Sequence, residues 1–213
     1  MIKFVYFDVG GVMIDDFSGN DKWREMKREL GVTPKMDNEF ERLYGEYSAK
    51  GLGLDLPVDD LIPVFEKELG IKFPEGFSWL NYYLDHFDRN EDLWPVVERV
   101  RKSCKVGLLT NMYVDMFEGI EGRGLLPQIK WDVVVDSTQV MAQKPEKKIY
   151  EIARQMSGVA AEELLFVDNS KGNVEAAKAL GWQIFLYDPS NHKKACEELN
   201  EFLSEARMGG VRI

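Results

Sequence analysis

At 213 residues, with 45 % hydrophobic and 12 % aromatic side chains, the chain can bury a core and is too apolar to be disordered. A formal net charge of −10 without any dense Lys/Arg cluster excludes a duplex-binding face, which needs cations to displace phosphate counterions. Two cysteines exclude a disulfide framework, and no apolar run reaches the roughly 18 residues of a membrane span.

The first predicted element is a strand at residues 2–7. It leaves no room for a leader pattern before it, so a cytoplasmic protein is expected. Residues 16–89 have a helical rhythm, with helix-period segments at 21–30, 37–49 and 59–69 and breaks at Gly31, Gly51, Gly53, Gly70, Pro34, Pro57 and Pro74. No convincing strand is predicted there. A helical insertion is expected, with Trp23, Leu30, Phe40, Leu43, Tyr44, Leu61 and Phe65 as its core. Beyond it, short apolar runs at 105–109, 131–135, 164–167 and 183–187 lack polar alternation, as do residues 2–7. That is the pattern of strands buried on both faces. Helical patterns at 93–102, 114–121, 146–156 and 174–180 separate them. Strand–helix alternation predicts an α/β fold, a Rossmann-like parallel sheet with helices on both faces. The expected division is a core of residues 1–15 and 90–213 and a helical cap of residues 16–89. Cys104 and Cys196 read as buried thiols, the five tryptophans as core, and the charged run 22–29 as a solvated helix face. The tail from Met208 to Ile213 reads as frayed.

Ligands of an open parallel sheet bind outside the carboxyl ends of its strands. Asp8 follows the first strand, Thr110-Asn111 the second, and Asp168-Asn169 the fourth; the loop after the third leads to Lys144-Pro145. A carboxylate can attack phosphorus, a hydroxyl and backbone N–H groups can hold phosphoryl oxygens, and an ammonium can neutralise charge between them. A divalent cation such as Mg²⁺ suits the carboxylate and carbonyl oxygens. Each residue also has a local reading. Asp8, Thr110-Asn111 and Asp168-Asn169 could cap helices or turns, Lys144 could be solvated, and Pro145 suits a first helical turn.

In this order, Phe7-Asp8-Val9-Gly10-Gly11-Val12, Leu109-Thr110-Asn111, Lys144-Pro145 and Val167-Asp168-Asn169 resemble the four motifs of haloacid-dehalogenase-like (HAD) hydrolases. The stretch from Gln143 to Tyr150 resembles the third motif closely, and that from Asn173 to Gly181 resembles the helix after the fourth. The insertion resembles the helical cap of many members in position and character. The resemblance implies a Mg²⁺-dependent phosphatase of a small phosphorylated metabolite, working through an aspartyl-phosphate. Asp8 would be nucleophile and metal ligand, and Lys144 would neutralise charge. Thr110, Asn111 and Gly11 would hold the phosphate, while the Gly10 carbonyl, Asp168 and Asn169 would complete the metal site. The expected partner is a small phosphorylated substrate, with neither nucleic acid nor membrane, and the protein is expected to be a monomer or homodimer.

Two departures matter. Gly10 stands where most phosphatases of the family carry an acid/base Asp, and Asn169 stands where a second acidic ligand is usual. His86, at the return from insertion to core, is the candidate substitute proton donor, and residues 50–56 the candidate specificity segment. The departures leave open an inactive binding or regulatory protein on the same scaffold. A haloacid dehalogenase or phosphomutase is the third alternative.

Overall fold

A computed structural model describes residues 1–51 and 53–206; the tail from Met208 to Ile213 therefore lies outside the described residues. The chain opens with strand β1 (Phe4–Phe7) and a two-residue strand β2 (Ile14–Asp15). Helices α1 (Lys22–Glu29), α2 (Asp37–Lys50), α3 (Leu61–Leu69) and α4 (Trp79–Asp85) follow, and the short strand β3 (Asp88–Arg89) returns the chain. Then come α5 (Trp94–Val100), β4 (Lys105–Thr110), α6 (Met116–Gly122), β5 (Val133–Asp136) and α7 (Ser137–Val140). The chain ends with α8 (Lys147–Ser157), β6 (Leu164–Asp168), α9 (Lys171–Ala179), β7 (Gln183–Leu186) and α10 (His192–Glu205).

The five longer strands form one parallel sheet in the order β5-β4-β1-β6-β7. All four β1 residues are buried, because successive side chains on a strand point to opposite faces and helices cover both. Val5 and Phe7 join the core under α5 and α10, whereas Phe4 and Tyr6 join the one under α8 and α9. This is why the strand runs show no polar alternation. The Phe4 and Tyr6 rings lie 4.5 Å apart over Gly107 of β4. A Cβ at position 107 would come within 2.9 Å of both rings and 2.7 Å from the Val133 carbonyl oxygen, so only glycine fits there.

The insertion packs around aromatic rings. Trp79 is fully buried, with ring centroids 5.1 Å from Phe65, 5.7 Å from Phe73 and 6.0 Å from Phe40. α4 has the sequence WLNYYLD; it exposes Asn81 and Asp85 one turn apart, but seven residues hold too few turns to set a period. The expectation of no strand in this stretch is corrected by β3, which pairs antiparallel with β2 through Ile14–Arg89 and Asp15–Asp88. Two-residue strands are too short to generate a period.

Other expectations change in detail. Lys27, in the run read as solvated, is buried and paired with Asp37 at 2.5 Å and Glu41 at 2.7 Å. The third sheet strand begins at Val133, not at residue 131. Pro145 is not in a first helical turn, since α8 starts at Lys147 with Glu146 as its N-cap; the Lys144–Pro145 peptide is cis. Thr110-Asn111 cap no helix, as Asp115 precedes α6. Trp79 and Trp182 are core residues, whereas Trp23, Trp94 and Trp131 are half-buried. Both cysteines are buried, and burial pushes the Cys104 thiol up to about 11.

Candidate active site

The order of strands reverses on either side of β1, which creates a crevice at its carboxyl end. In register, Phe7 lies beside Leu108 of β4 and Val167 of β6. Asp8 therefore emerges between the ends of both neighbours, its N–H donating to the Val167 carbonyl at 2.9 Å. The Lys144 ammonium lies 2.8 Å from Asp8 Oδ1 and 2.7 Å from Asp168 Oδ2, with its side chain only 1 % exposed. Residues from three separate stretches thus meet as one buried carboxylate–ammonium–carboxylate cluster.

Each member is held from behind. The Asn111 side chain donates to the Lys144 carbonyl at 2.9 Å and accepts from the Lys144 N–H at 2.8 Å. Asp168 accepts from the Ser170 N–H at 2.7 Å and from the Asn173 amide at 3.1 Å and 3.2 Å. Asp8 Oδ1 also accepts from the Val9 N–H at 2.7 Å. Among the described residues, no hydrogen bond reaches Asp8 Oδ2, so one oxygen is pinned and the other is free. Thr110 is buried at the end of β4.

Two carboxylates share one ammonium, which leaves one buried negative charge in excess. Burial pushes the Asp8 carboxyl up to about 7, Asp168 adds to the rise, and Lys144 opposes it. Burial acts to lower the Lys144 pKa, but the two carboxylates outweigh it and the net shift is upward. The lysine stays charged.

The turn after Asp8 is tight. Gly11 has φ of +69° and a Cβ there would fall 2.1 Å from the Asn169 side-chain amide nitrogen. Asn169 therefore packs directly on the turn, and a side chain at position 11 would both strain the backbone and displace it. At Gly10 a Cβ would fall 2.4 Å from Asp16 Oδ2.

A cleft of about 450 Å³ opens beside the cluster, and its wall includes Gly10 and Asn111. Phe17, Trp23, Tyr44, Tyr83 and Tyr113 supply an aromatic wall, with the Phe17 and Tyr83 ring centroids 5.1 Å apart. The Tyr44 hydroxyl bonds the hydroxyls of both Tyr113 and Tyr83, the latter at 3.2 Å. Among the described residues that line the cleft, Asp16 is the one charged side chain, and no Lys, Arg or His joins it. Burial pushes its carboxyl up.

Of the residues predicted from strand ends, Asp8 and Asp168 meet at Lys144, with Asn111 behind it, but the cleft was largely missed. Of residues 50–56, only Gly53 lines it; Leu52 lies outside the described residues. His86 is not in the cleft wall. It is exposed, its ring 4.0 Å from that of Tyr82 and its Nδ1 2.7 Å from the Tyr82 carbonyl oxygen. Asp16 was the missed carboxylate, and its only sequence signal was an acidic pair after the apolar run 12–14.

Ser137 joins the insertion to the crevice. Its hydroxyl donates to the Gly53 carbonyl at 2.6 Å and accepts from the Met112 N–H at 3.0 Å. Ser137→Ala leaves both groups unsatisfied. The expected cost is roughly 1–3 kcal/mol, read from urea unfolding against the parent chain.

This sheet order, with an Asp–Lys–Asp cluster at the switch point beneath a helical insertion, is the haloacid-dehalogenase-like fold. In sequence the chain is similar to proteins named as phosphatases. The chain is 28 % identical over 204 residues to Phosphatase MT3486 of Mycobacterium tuberculosis, covering 91 % of this chain and 90 % of that protein. It is 27 % identical over 219 residues to D-ribitol-5-phosphate phosphatase of Bacteroides thetaiotaomicron (96 % and 100 % covered). It is also 27 % identical over 186 residues to the Phosphorylated carbohydrates phosphatase of Thermotoga maritima (84 % and 82 %). No protein-family model matches the chain.

Among solved structures, the HAD family enzyme BT-2542 of B. thetaiotaomicron superposes with a TM-score of 0.71 at 17 % identity, covering 89 % of this chain and 95 % of that one. The same enzyme in complex with magnesium and inorganic phosphate gives a TM-score of 0.68 at 15 % identity, covering 90 % and 96 %. At these identities the likeness speaks for the fold. Among the described residues, no helix is long and apolar enough to cross a membrane.

Proposed function

We propose that the chain is a Mg²⁺-dependent phosphatase that removes phosphate from a small, otherwise uncharged alcohol through an aspartyl-phosphate on Asp8. The observation that carries this reading is the asymmetry of Asp8. Oδ1 is held by Lys144 and Val9, while Oδ2 is free to attack phosphorus. Lys144 offsets charge as the phosphoryl group is transferred, and Asp168 holds the ammonium in place. Thr110, the Asn111 backbone and the Gly11 turn receive the phosphoryl oxygens.

The donors fit Mg²⁺ because they are all oxygens: the Asp8 oxygen that does not attack, the Gly10 carbonyl, Asp168 and the Asn169 amide. Among the described residues, no site gathers three or more His, Cys, Asp or Glu side chains. Mg²⁺ retains several waters, so two carboxylates and neutral oxygens satisfy its chemistry. When bound, it would supply the positive charge that lets an anionic carboxylate approach an anionic phosphate. The magnesium- and phosphate-bound neighbour of the same fold supports this choice.

The helical stretch 16–89 serves in this reading as a cap that closes the cleft over the substrate and excludes water. The cation-free wall favours a leaving group with no second anion, and the aromatic faces with their hydroxyls suit a sugar or polyol skeleton. The relatives named for ribitol phosphate and phosphorylated carbohydrates agree with that class.

The test is hydrolysis of p-nitrophenyl phosphate and of D-ribitol 5-phosphate, with Mg²⁺ and with excess EDTA. Metal removal is expected to lower kcat at least roughly 10²-fold. Metal-independent turnover, or a preference for sugar bisphosphates over monophosphates, would count against the proposal.

A further inference from the structure

Hydrolysis of an alkyl phosphate needs a proton for the departing oxygen, and none of the clustered groups is free to give one. Lys144 is locked between Asp8 and Asp168, Asp168 is a carboxylate that accepts from Ser170 and Asn173, and Asp8 is the attacking group. Resting on the phosphatase reading above, we propose that Asp16 is the proton-transfer residue of the reaction, and that Gly10 is the vacancy its carboxyl group occupies.

Three features of placement support this. Asp16 Oδ2 lies where a side chain on Gly10 would begin, 2.4 Å from the position of a Cβ. The missing side chain two residues after Asp8 is thus replaced in space by a carboxyl from eight residues along the chain. The carboxyl is also held at Ser18. Oδ1 accepts from the Ser18 N–H at 2.8 Å, and the Ser18 side chain is the other hydrogen-bond partner of the carboxyl. Finally, Asp16 and Gly10 both line the cleft, and among the described residues no other lining side chain carries charge. The short β2–β3 ladder holds Asp15 next to it in place.

The chemistry balances. Asp8 Oδ2 forms a bond to phosphorus as the ester P–O bond breaks. The departing oxygen takes the Asp16 proton and leaves as the alcohol. The Asp16 carboxylate then takes a proton from water as the water oxygen attacks phosphorus. The bond from phosphorus to Asp8 breaks, releasing inorganic phosphate and restoring the Asp8 carboxylate and the Asp16 acid.

The test compares Asp16→Asn with the parent full-length chain in Mg²⁺, on D-ribitol 5-phosphate and on p-nitrophenyl phosphate, whose leaving group departs without a proton. Asp16→Asn should lower kcat on the alkyl ester by about 10²–10⁴-fold. On p-nitrophenyl phosphate it should instead give a burst of p-nitrophenol approaching one equivalent, then slow turnover, with phosphate trapped on Asp8 detectable by mass spectrometry. Gly10→Ala, whose Cβ would displace the Asp16 carboxyl, should reproduce the leaving-group-selective loss. Gly10→Asp combined with Asp16→Ala should recover alkyl-ester turnover relative to Asp16→Ala alone.

Equal losses on both esters, with no burst and no trapped phosphate, would overturn the role of Asp16 while leaving the phosphatase reading intact. A parent chain inactive on both esters, or unaffected by Asp8→Asn, would overturn both.

Discussion

Replacing Lys144 with methionine is expected to destabilise the protein by about 3–5 kcal/mol, because the change strands two buried carboxylates that now share one ammonium. Lys144 and Asp168 are fully out of water, so neither can recover solvation by a small movement. For a chain of this size the loss corresponds to a fall in Tm of roughly 6–20 °C. Calorimetry in metal-free buffer measures it. Adding Asp8→Asn to Lys144→Met should return part of that loss, with a coupling energy of about 0.5–3 kcal/mol in the double-mutant cycle. Strict additivity would mean that the two side chains do not share one electrostatic site.

Asp8→Asn is expected to move activity and stability in opposite directions. Losing the proposed nucleophile should lower kcat by roughly 10⁴-fold or more. Stability should rise, since the amide oxygen can still accept from Val9 and Lys144 while the excess buried charge disappears. A gain of about 2–4 °C in Tm without metal is the expected size for roughly 1 kcal/mol. Parallel kinetics and thermal melts check both halves. A variant that loses Tm along with activity would show that the Asp8 charge holds the fold together, contrary to the surplus of carboxylates around Lys144.

The parts of this fold that could be read from sequence are those with a strong period or a strong constraint. β1, β4 and β6 announced themselves as short unbroken apolar runs, since they are covered on both faces. Asp8, Thr110, Lys144 and Asp168 could be grouped because a parallel sheet delivers the ends of its strands to one rim. α4 could not be read, as seven mostly apolar residues beside an aromatic core make too short a pattern to set its phase. The cleft was invisible for a different reason. Its wall is assembled from Phe17, Trp23, Tyr44, Tyr83 and Tyr113, which come from five separate places and carry no motif. Asp16 was passed over because it lies at the start of the insertion, and only coordinates reveal that its carboxyl fills the space beside Gly10. His86 drew attention by its chemistry and its place in the chain, yet α4 ends with it facing Tyr82.

The antiparallel pairing of Ile14–Asp15 with Asp88–Arg89 makes the whole insertion, in polymer terms, a single very long loop closed by one clasp. Closure entropy grows only with the logarithm of loop length, so doubling the chain threaded through that clasp would cost about 0.6 kcal/mol. The sheet is therefore nearly indifferent to the size of what it carries, and the clasp is a natural splice point at which the insertion that walls the cleft could be exchanged wholesale.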